Sequence, residues 1–428
     1  MKTYLYPARK DWEVILKRPT QEKANLETIV SSIFNAIKAD GDLALKTYTK
    51  KFDGADLDSL FVSESELKNA ASLISSELKA AIDNAARNIK TFHETQISTE
   101  GRVTTQPGVE CWRKTTPIEK VGLYIPGGSA PLFSTVLMLA IPANIAGCKE
   151  IVLCTPPDKN GNVNPAILYA ANSVGCTNVF KLGGIQAIGA MTFGTESVPQ
   201  VYKIFGPGNQ YVTAAKQLAS LDGVAIDMPA GPSEVLVYGD KTGNAEFIAS
   251  DLLSQAEHGA DSQVVFVTCV ESLIKDVETA VVKQLAELPR KEIAAQALEN
   301  STLILMKNES EALKLINEYG PEHLIIGAEN EDLFINEVTN AGSVFLGNYT
   351  PESAGDYASG TNHTLPTNGY AKSYSGVSLD SFTKKITYQK ITKEGLRNLG
   401  PTIEIMAEAE ELFAHKNAVT LRLNELNK

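Results

Sequence analysis

The chain has 428 residues, too many for one hydrophobic core, so two or more domains are expected. Hydrophobic residues make up 43% and charged residues 21%, an ordinary balance for a soluble globular protein. Asp and Glu number 51 against 39 Lys and Arg, a net charge of −12, which argues against nucleic acid or an anionic membrane as the main partner because both select a basic face.

The best apolar run, Val136–Ile145, falls short of a membrane span and is interrupted by Pro142. The first twenty residues scatter Lys, Arg, Asp and Glu and show no signal-peptide core. Cys111, Cys148, Cys154, Cys176 and Cys269 have irregular spacing and no CxxC pair; the last four lie in or beside apolar runs and read as small buried hydrophobes. A reducing cytoplasm is the expected location.

In chain order, residues 1–20 are expected as an N-terminal helical arm, and helical signals continue to about residue 100. Gln21–Ala39 carries apolar residues at helical spacing and stops near Gly41. Ser63 and Glu66 make a capping box that opens a helical run to about Gln96, and His93 near its end reads as a solvated helix residue. Val103–Trp112 alternates like a strand.

A strand–helix rhythm follows. Val121–Ile125, Ile151–Cys154, Asn178–Lys181 and Lys203–Phe205 are short apolar strands separated by helices, the pattern of a parallel sheet covered on both faces. Ligands in such sheets bind at the carboxyl ends of the strands. Three strand ends carry glycine-rich turns, Pro126-Gly-Gly-Ser129, Leu182-Gly-Gly184 and Gly206-Pro-Gly-Asn209. These turns either let backbone N–H groups approach a phosphate or serve as plain tight turns; no GxGxxG is present.

A second alternating block has strands at Val235–Tyr238, Val264–Thr268, Leu303–Met306, Leu324–Ile326 and Ser343–Leu346, and reads as a fold-level duplication of the first. The helix Asn244–His258 ends in Ser254-Gln-Ala-Glu-His-Gly259, with Gly259 in the place of a helix-terminating glycine. Gln255 and His258 are three apart and leave one helix face, able to share a metal ion; a solvated surface turn is the plain alternative. Residues 348–376 lose all period and read as a long functional loop, and helix returns from Pro401.

The four histidines beyond His93 lie within two residues of Gly, Pro, Asn or Glu, mostly at element boundaries. Gln255, His258, Asp356 and His415 form a nitrogen–oxygen donor set suited to zinc, without a thiolate. Glu322 and His323, at a strand entrance, form a natural general-base pair.

Seven motifs now stand in order: Tyr124-Ile-Pro-Gly-Gly128, Gly206-Pro-Gly-Asn209, Asp227-Met-Pro-Ala-Gly-Pro-Ser-Glu234, Ser254-Gln-Ala-Glu-His-Gly259, Gly320-Pro-Glu-His323, Gly355-Asp-Tyr-Ala-Ser-Gly-Thr-Asn-His363 and His415-Lys-Asn-Ala-Val419. Together they resemble the histidinol dehydrogenase family, from about residue 10 to the C-terminus. The resemblance implies oxidation of L-histidinol to L-histidine through the aldehyde, with two NAD and one water. It implies zinc on Gln255, His258, Asp356 and His415, and catalytic bases at Glu322 and His323. It also implies substrate contacts at Ser233, His363 and Glu410 beside the zinc ligands and His323, and NAD contacts at Tyr124, Gln186 and Asn209.

The implied fold is α/β, two incomplete Rossmann-like parallel-sheet domains plus small helical terminal segments, in a homodimer with shared active sites. The expected division is 21–120 with 234–375 as the domain carrying metal and catalytic residues, 121–233 as the NAD-binding domain, and 376–428 as a helical tail docking on the partner subunit. In the family reading the zinc anchors the substrate; a Lewis-acid role at the hydroxyl is the alternative from general chemistry. A zinc hydrolase and a non-catalytic two-lobed binding protein are the competing functions, and the glycine-rich strand ends, Asn209 and the Glu322–His323 pair count against them.

Overall fold

The computed structural model describes residues 1–19, 24–127, 131–229 and 231–428. Thr20, the start of the helix expected from Gln21, Gly128 and Ser129 of the first glycine turn, and Ala230 of the Asp227–Glu234 motif lie outside the described residues. The chain divides into two compact units, Met1–Gln96 with Ile118–Phe382, and Ile97–Pro117 with Thr383–Lys428.

Among the described residues the first unit contains two parallel sheets. The smaller runs Asn178–Lys181, Glu150–Thr155, Lys120–Tyr124, Lys203–Phe205, Ala225–Ile226. Numbered along the chain this order is 3-2-1-4-5, the order of a Rossmann sheet lacking its last strand. The larger runs Lys2–Leu5, Thr302–Leu305, Gln263–Thr268, Glu234–Gly239, His323–Gly327, Ser343–Leu346. Its last five strands repeat the order 3-2-1-4-5, so the duplication read from the sequence is a duplication of topology. Helices cover both faces, which is why Val235–Val237 and Val264–Val267 are continuous apolar runs rather than alternating ones.

Several sequence expectations change. The N-terminal arm is not all helical: Lys2–Leu5 is an edge strand paired in parallel with Thr302–Leu305. Four residues are too few to show a period, and the partner strand lies three hundred residues away. Residues 24–96 do not join the larger sheet. The helix Ala24–Phe52, kinked at Gly41 (φ 50°), packs Phe34 and Ile37 with Phe180 and Ile188 of the smaller sheet's layer. The helix Ser76–Glu94 packs Ile82 and Ile89 against Val136 and Leu137 on the other face. His93 continues that buried stripe, one turn beyond Ile89, and is 0% exposed rather than solvated. Its Nδ1–H donates to the Ile89 carbonyl at 2.8 Å, and burial holds its pKa below 6.5.

The second unit is a three-stranded antiparallel sheet, in the order Thr383–Ile391, Val109–Pro117, Val103–Gln106, with a helical hairpin. The single strand expected at 103–112 is therefore a β-hairpin turning at Pro107-Gly108, where Gly108 has φ 79°. The tail is not wholly helical either, because Thr383–Ile391 is a strand. It is exposed along most of its length, so no buried face imposed an alternating pattern. The helices Lys393–Ala409 and Phe413–Leu426 approach closely at Gly400, where a Cβ would meet Leu423 at 2.8 Å. Ile405, Met406, Leu412, Phe413 and Leu421 are exposed on this hairpin.

Candidate functional site

The strands Glu234–Gly239 and His323–Gly327 are parallel neighbours, with His323 opposite Val235. Their amino ends bring Ser233, Glu234, Glu322 and His323 together. The helix Ala245–Ala256, N-capped by Asn244, returns Gln255 to the same edge. The helix Glu352–Tyr357 supplies Glu352 and Asp356, one turn apart. This cluster therefore sits at the amino ends of the larger sheet, not at the carboxyl ends expected from the general rule.

Glu322 and His323 are both buried. The Glu234 backbone N–H donates to Glu322 Oε2 at 2.9 Å, and the Glu234 carbonyl lies 3.2 Å from His323 Nδ1. Gln255 Nε2 lies 3.0 Å from the same Nδ1 and also donates to Glu352 Oε1. Nδ1 cannot serve both neighbours at once: protonated it donates to the Glu234 carbonyl, unprotonated it accepts from the Gln255 amide. His323 Nε2 is 3.4 Å from Asp356 Oδ1. Donor atoms of His323, Glu352 and Asp356 all lie within 4.8 Å of one another. Three buried atoms here have no hydrogen-bond partner: Gln255 Oε1, His323 Nε2 and Glu352 Oε2. Buried polar atoms are ordinarily satisfied, so such a cluster is suited to receive a cation or a polar ligand.

The electrostatics are those of one imidazole among carboxylates. Burial lowers the His323 pKa, but Glu352, Glu322 and Asp356 outweigh it and hold the ring well above 6.5. Burial pushes the Glu322 carboxyl up to about 8, opposed by His323. Burial likewise raises Glu352 well above the usual carboxyl range. Asp356 goes the other way: burial would raise it, but His323 beside it holds it below 3.8.

His258 falls just beyond the end of its helix, which closes at Ala256 with Glu257 as cap in a right-handed helical conformation. Its backbone N–H still reaches the Gln255 carbonyl at 3.2 Å. Gly259 does not take a left-handed conformation, so it is not the terminating glycine that the pattern implied. The imidazole is exposed at its surface, yet crowding by protein keeps its pKa below 6.5, with Asp356 opposing and His323 reinforcing. His363 Nδ1–H donates to the Asp356 carbonyl at 2.8 Å, which leaves Nε2 to accept from the Thr135 hydroxyl at 3.1 Å. Ser233 immediately precedes the strand Glu234–Gly239. Glu410 and His415 belong to the second unit, Glu410 as the cap of the helix Lys393–Ala409 and His415 exposed on Phe413–Leu426.

A cavity of about 1390 Å³ opens at the carboxyl ends of the smaller sheet's strands, the place the general rule names. Tyr124, Gln186 and Asn209 all line it, with Asp53, Gly127 and Pro156. The Gly184 N–H donates to the Tyr124 hydroxyl at 3.2 Å, and Asn209 Oδ1 caps the helix Gln210–Leu221 through the N–H groups of Tyr211 and Val212. Gln186 Nε2 donates to Asp53 Oδ2 at 3.1 Å, while its Oε1 is buried and unpartnered. Burial pushes the Asp53 carboxyl up to about 6.

Glu352, Thr135 and Asp53 escaped the sequence reading. Glu352 had a signal: it is four residues before Asp356, the spacing that puts two carboxylates on one helix face. Reading 348–376 as irregular hid it. Thr135 and Asp53 come from segments remote in sequence and carried none. Cys154 and Cys176 are buried and Cys148 partly so; burial pushes the Cys148 and Cys176 thiols up to about 12, away from nucleophilic thiolate.

A family model described as histidinol dehydrogenase matches residues 16–423. The histidinol dehydrogenase of Bacteroides thetaiotaomicron is 62% identical over 426 residues, covering 100% of both chains. That of Escherichia coli strain K12 is 52% identical over 423 residues, 98% of this chain and 96% of its own. The crystal structure of histidinol dehydrogenase from Elizabethkingia anophelis superposes with a TM-score of 0.98 at 59% identity, over 100% of this chain and 99% of that one.

Proposed function

Because the chain belongs to the histidinol dehydrogenase family, oxidoreductases of histidine biosynthesis, we propose that it oxidises L-histidinol to L-histidine through L-histidinal, with two NAD and one water. The observation that carries this reading is the buried Glu322–His323 pair set beside Gln255, Glu352 and Asp356 with three unsatisfied polar atoms.

Of those unsatisfied atoms, Gln255 Oε1 fits a cation in the cluster. Gln255, His258 and Asp356, with His415 of the partner subunit, would hold the zinc. When bound, the zinc supplies the charge that anchors the amine and imidazole of histidinol. Ser233, His363 and Glu410 contribute further substrate contacts. Tyr124, Gln186 and Asn209, in the wall of the cavity, would hold NAD, the hydride acceptor in each step.

His323 is the base for the substrate hydroxyl. With its Nδ1–H held by the Glu234 carbonyl, its Nε2, 3.4 Å from Asp356 Oδ1, is the atom that takes the proton. In the ligand-free cluster Asp356 helps hold a proton on this ring. Once Asp356 is committed to a ligand, the imidazole is released to act as a base. Glu322, raised to about 8 and adjacent to the same ring, activates the water that the aldehyde step needs.

In this reading the chain acts as a homodimer with shared sites, and the helical hairpin of the second unit leaves Ile405, Met406, Leu412, Phe413 and Leu421 exposed, apolar surface that a partner would cover. Among the described residues no helix is long and apolar enough to cross a membrane, which accords with a cytoplasmic enzyme. The direct test is NADH absorbance on adding histidinol and NAD to the zinc-loaded protein, with identification of histidine as product. No NADH formation by folded, zinc-loaded protein would overturn the reading.

A further inference from the structure

Glu322 and His323 are both tied to one residue's backbone. The N–H of Glu234 donates to Glu322 Oε2 at 2.9 Å, and the carbonyl of the same residue lies 3.2 Å from His323 Nδ1. What holds Glu234 in place therefore decides where both bases stand. Its side chain is nearly buried, 3% exposed, and is gripped by Arg18, itself 16% exposed. The guanidinium donates through Nε to Glu234 Oε1 at 2.6 Å and through Nη2 to Oε2 at 2.8 Å, a two-pronged geometry that only arginine supplies.

The same guanidinium reaches the segment that leads into the catalytic pair. Nη2 donates to the Tyr319 carbonyl at 2.9 Å and lies 3.4 Å from the Gly320 carbonyl. Its plane sits 4.0 Å from the centre of the Tyr319 ring, which is fully buried. Gly320 ends the helix Glu309–Tyr319 in the left-handed conformation (φ 60°), and Pro321, Glu322 and His323 follow directly. Asn368 adds its backbone N–H to Glu234 Oε1 from the loop on the other side. A buried ion pair alone is weak grounds for a role, because desolvation cancels much of its Coulombic gain. Here one cation joins the two strand entrances whose relative placement sets the Glu322–His323 geometry.

We infer that Arg18, acting through Glu234, is a positioning residue for the Glu322–His323 pair. The inference rests on the proposed roles of Glu322 and His323. Arg18 touches neither base and orders both by fixing the Glu234 backbone: the N–H orients the Glu322 carboxyl and the carbonyl selects the Nδ1–H tautomer of His323. A displacement of about an ångström at such a pair costs on the order of a hundredfold in rate.

The test uses the full-length zinc-loaded enzyme with Arg18→Ala and Arg18→Lys. Arg18→Ala should lower kcat by roughly 10- to 100-fold in both oxidation steps, with KM for histidinol within about threefold of wild type. Zinc content should be unchanged. Added guanidinium ion should restore part of the kcat of Arg18→Ala, and Arg18→Lys, which lacks the fork, should recover only part of the loss. Nitrogen-15 spectra of the histidines, with His323 assigned through His323→Asn, should show its ring signals moved in both variants. A kcat within about twofold of wild type in folded protein would overturn the inference, as would a loss with no guanidinium response and unmoved His323 signals. Should Arg18→Ala fail to fold, Arg18→Lys carries the same rate and spectral measurements. If the wild-type protein fails to reduce NAD with histidinol, the functional reading falls, while the His323 signals still decide whether Arg18 positions that ring.

Discussion

Glu352 and Asp356 stand one turn apart on the helix Glu352–Tyr357 and bring carboxylate oxygens within 4.8 Å of each other and of a His323 ring nitrogen. Their environments drive them apart: burial raises Glu352 well above the usual range, whereas His323 holds Asp356 below it. Glu352 accepts the Gln255 amide N–H, and Asp356 is the more readily ionised of the two carboxyls. By engaging Nε2, Glu352 leaves Gln255 Oε1 as the free, unsatisfied atom of that amide.

In the proposed zinc site Glu352 would therefore orient Gln255. Glu352→Ala should weaken zinc retention about 10- to 100-fold, as loss of a group that orients a ligand commonly does. The measurement is zinc content at buffered free zinc, beside the thermal midpoint to confirm folding. Zinc retained as in wild type by folded Glu352→Ala would remove this role.

The two bases are separable by half-reaction. In the proposed mechanism Glu322 is needed only where water attacks, so Glu322→Gln should slow aldehyde oxidation by ~10²–10⁴-fold and alcohol oxidation much less. His323→Asn should slow both steps. Feeding the variants histidinol or histidinal separately and following NADH gives the comparison. Equal losses in both steps for Glu322→Gln would show that the division of roles is wrong.

Asp53 makes stability depend on pH. Folding raises its carboxyl from 3.8 to about 6, mainly by burial, so the folded state favours the protonated form. The associated stability is fully present below about pH 3.8 and is lost as pH rises through about 6. Asp53→Asn removes the charge while keeping an acceptor for Gln186 Nε2. Its Tm should exceed that of wild type at pH 7 and converge with it near pH 4 (a melting series over that range decides). A gap that does not change with pH would mean that the Asp53 carboxyl is not perturbed by folding.

Shared sites can be tested by mixing. His258→Asn and His415→Asn should each be inactive alone. Unfolded and refolded together, about half the dimers are mixed, and each mixed dimer regains one intact site, so about a quarter of wild-type activity should return. Demonstrated mixed dimers without recovered activity would place His415 in its own chain's site.

Much of this protein is legible in its amino-acid sequence. Short apolar strands alternating with helices announce parallel sheets, because a strand buried on both faces must be apolar throughout. Both sheets are where that rhythm put them, and the seven motifs carried the family. The turn glycines and the asparagine caps at 209 and 244 work locally, so local sequence reveals them. Tertiary structure alone decided what depends on contacts between distant segments. Lys2–Leu5 becomes a strand only because Thr302–Leu305 offers an edge. The helices Ala24–Phe52 and Ser76–Glu94 carry apolar stripes that fit any sheet, and only packing assigned them to the smaller one. The periodicity that buries Ile82 and Ile89 also buries His93, a polar residue that only its helical register identifies as core. Glu352 lay hidden in a stretch without apolar period, since a helix of six residues buries too little to write one. Arg18 and Glu234, 216 residues apart, meet because two strand entrances lie side by side, a proximity that no spacing along the chain encodes.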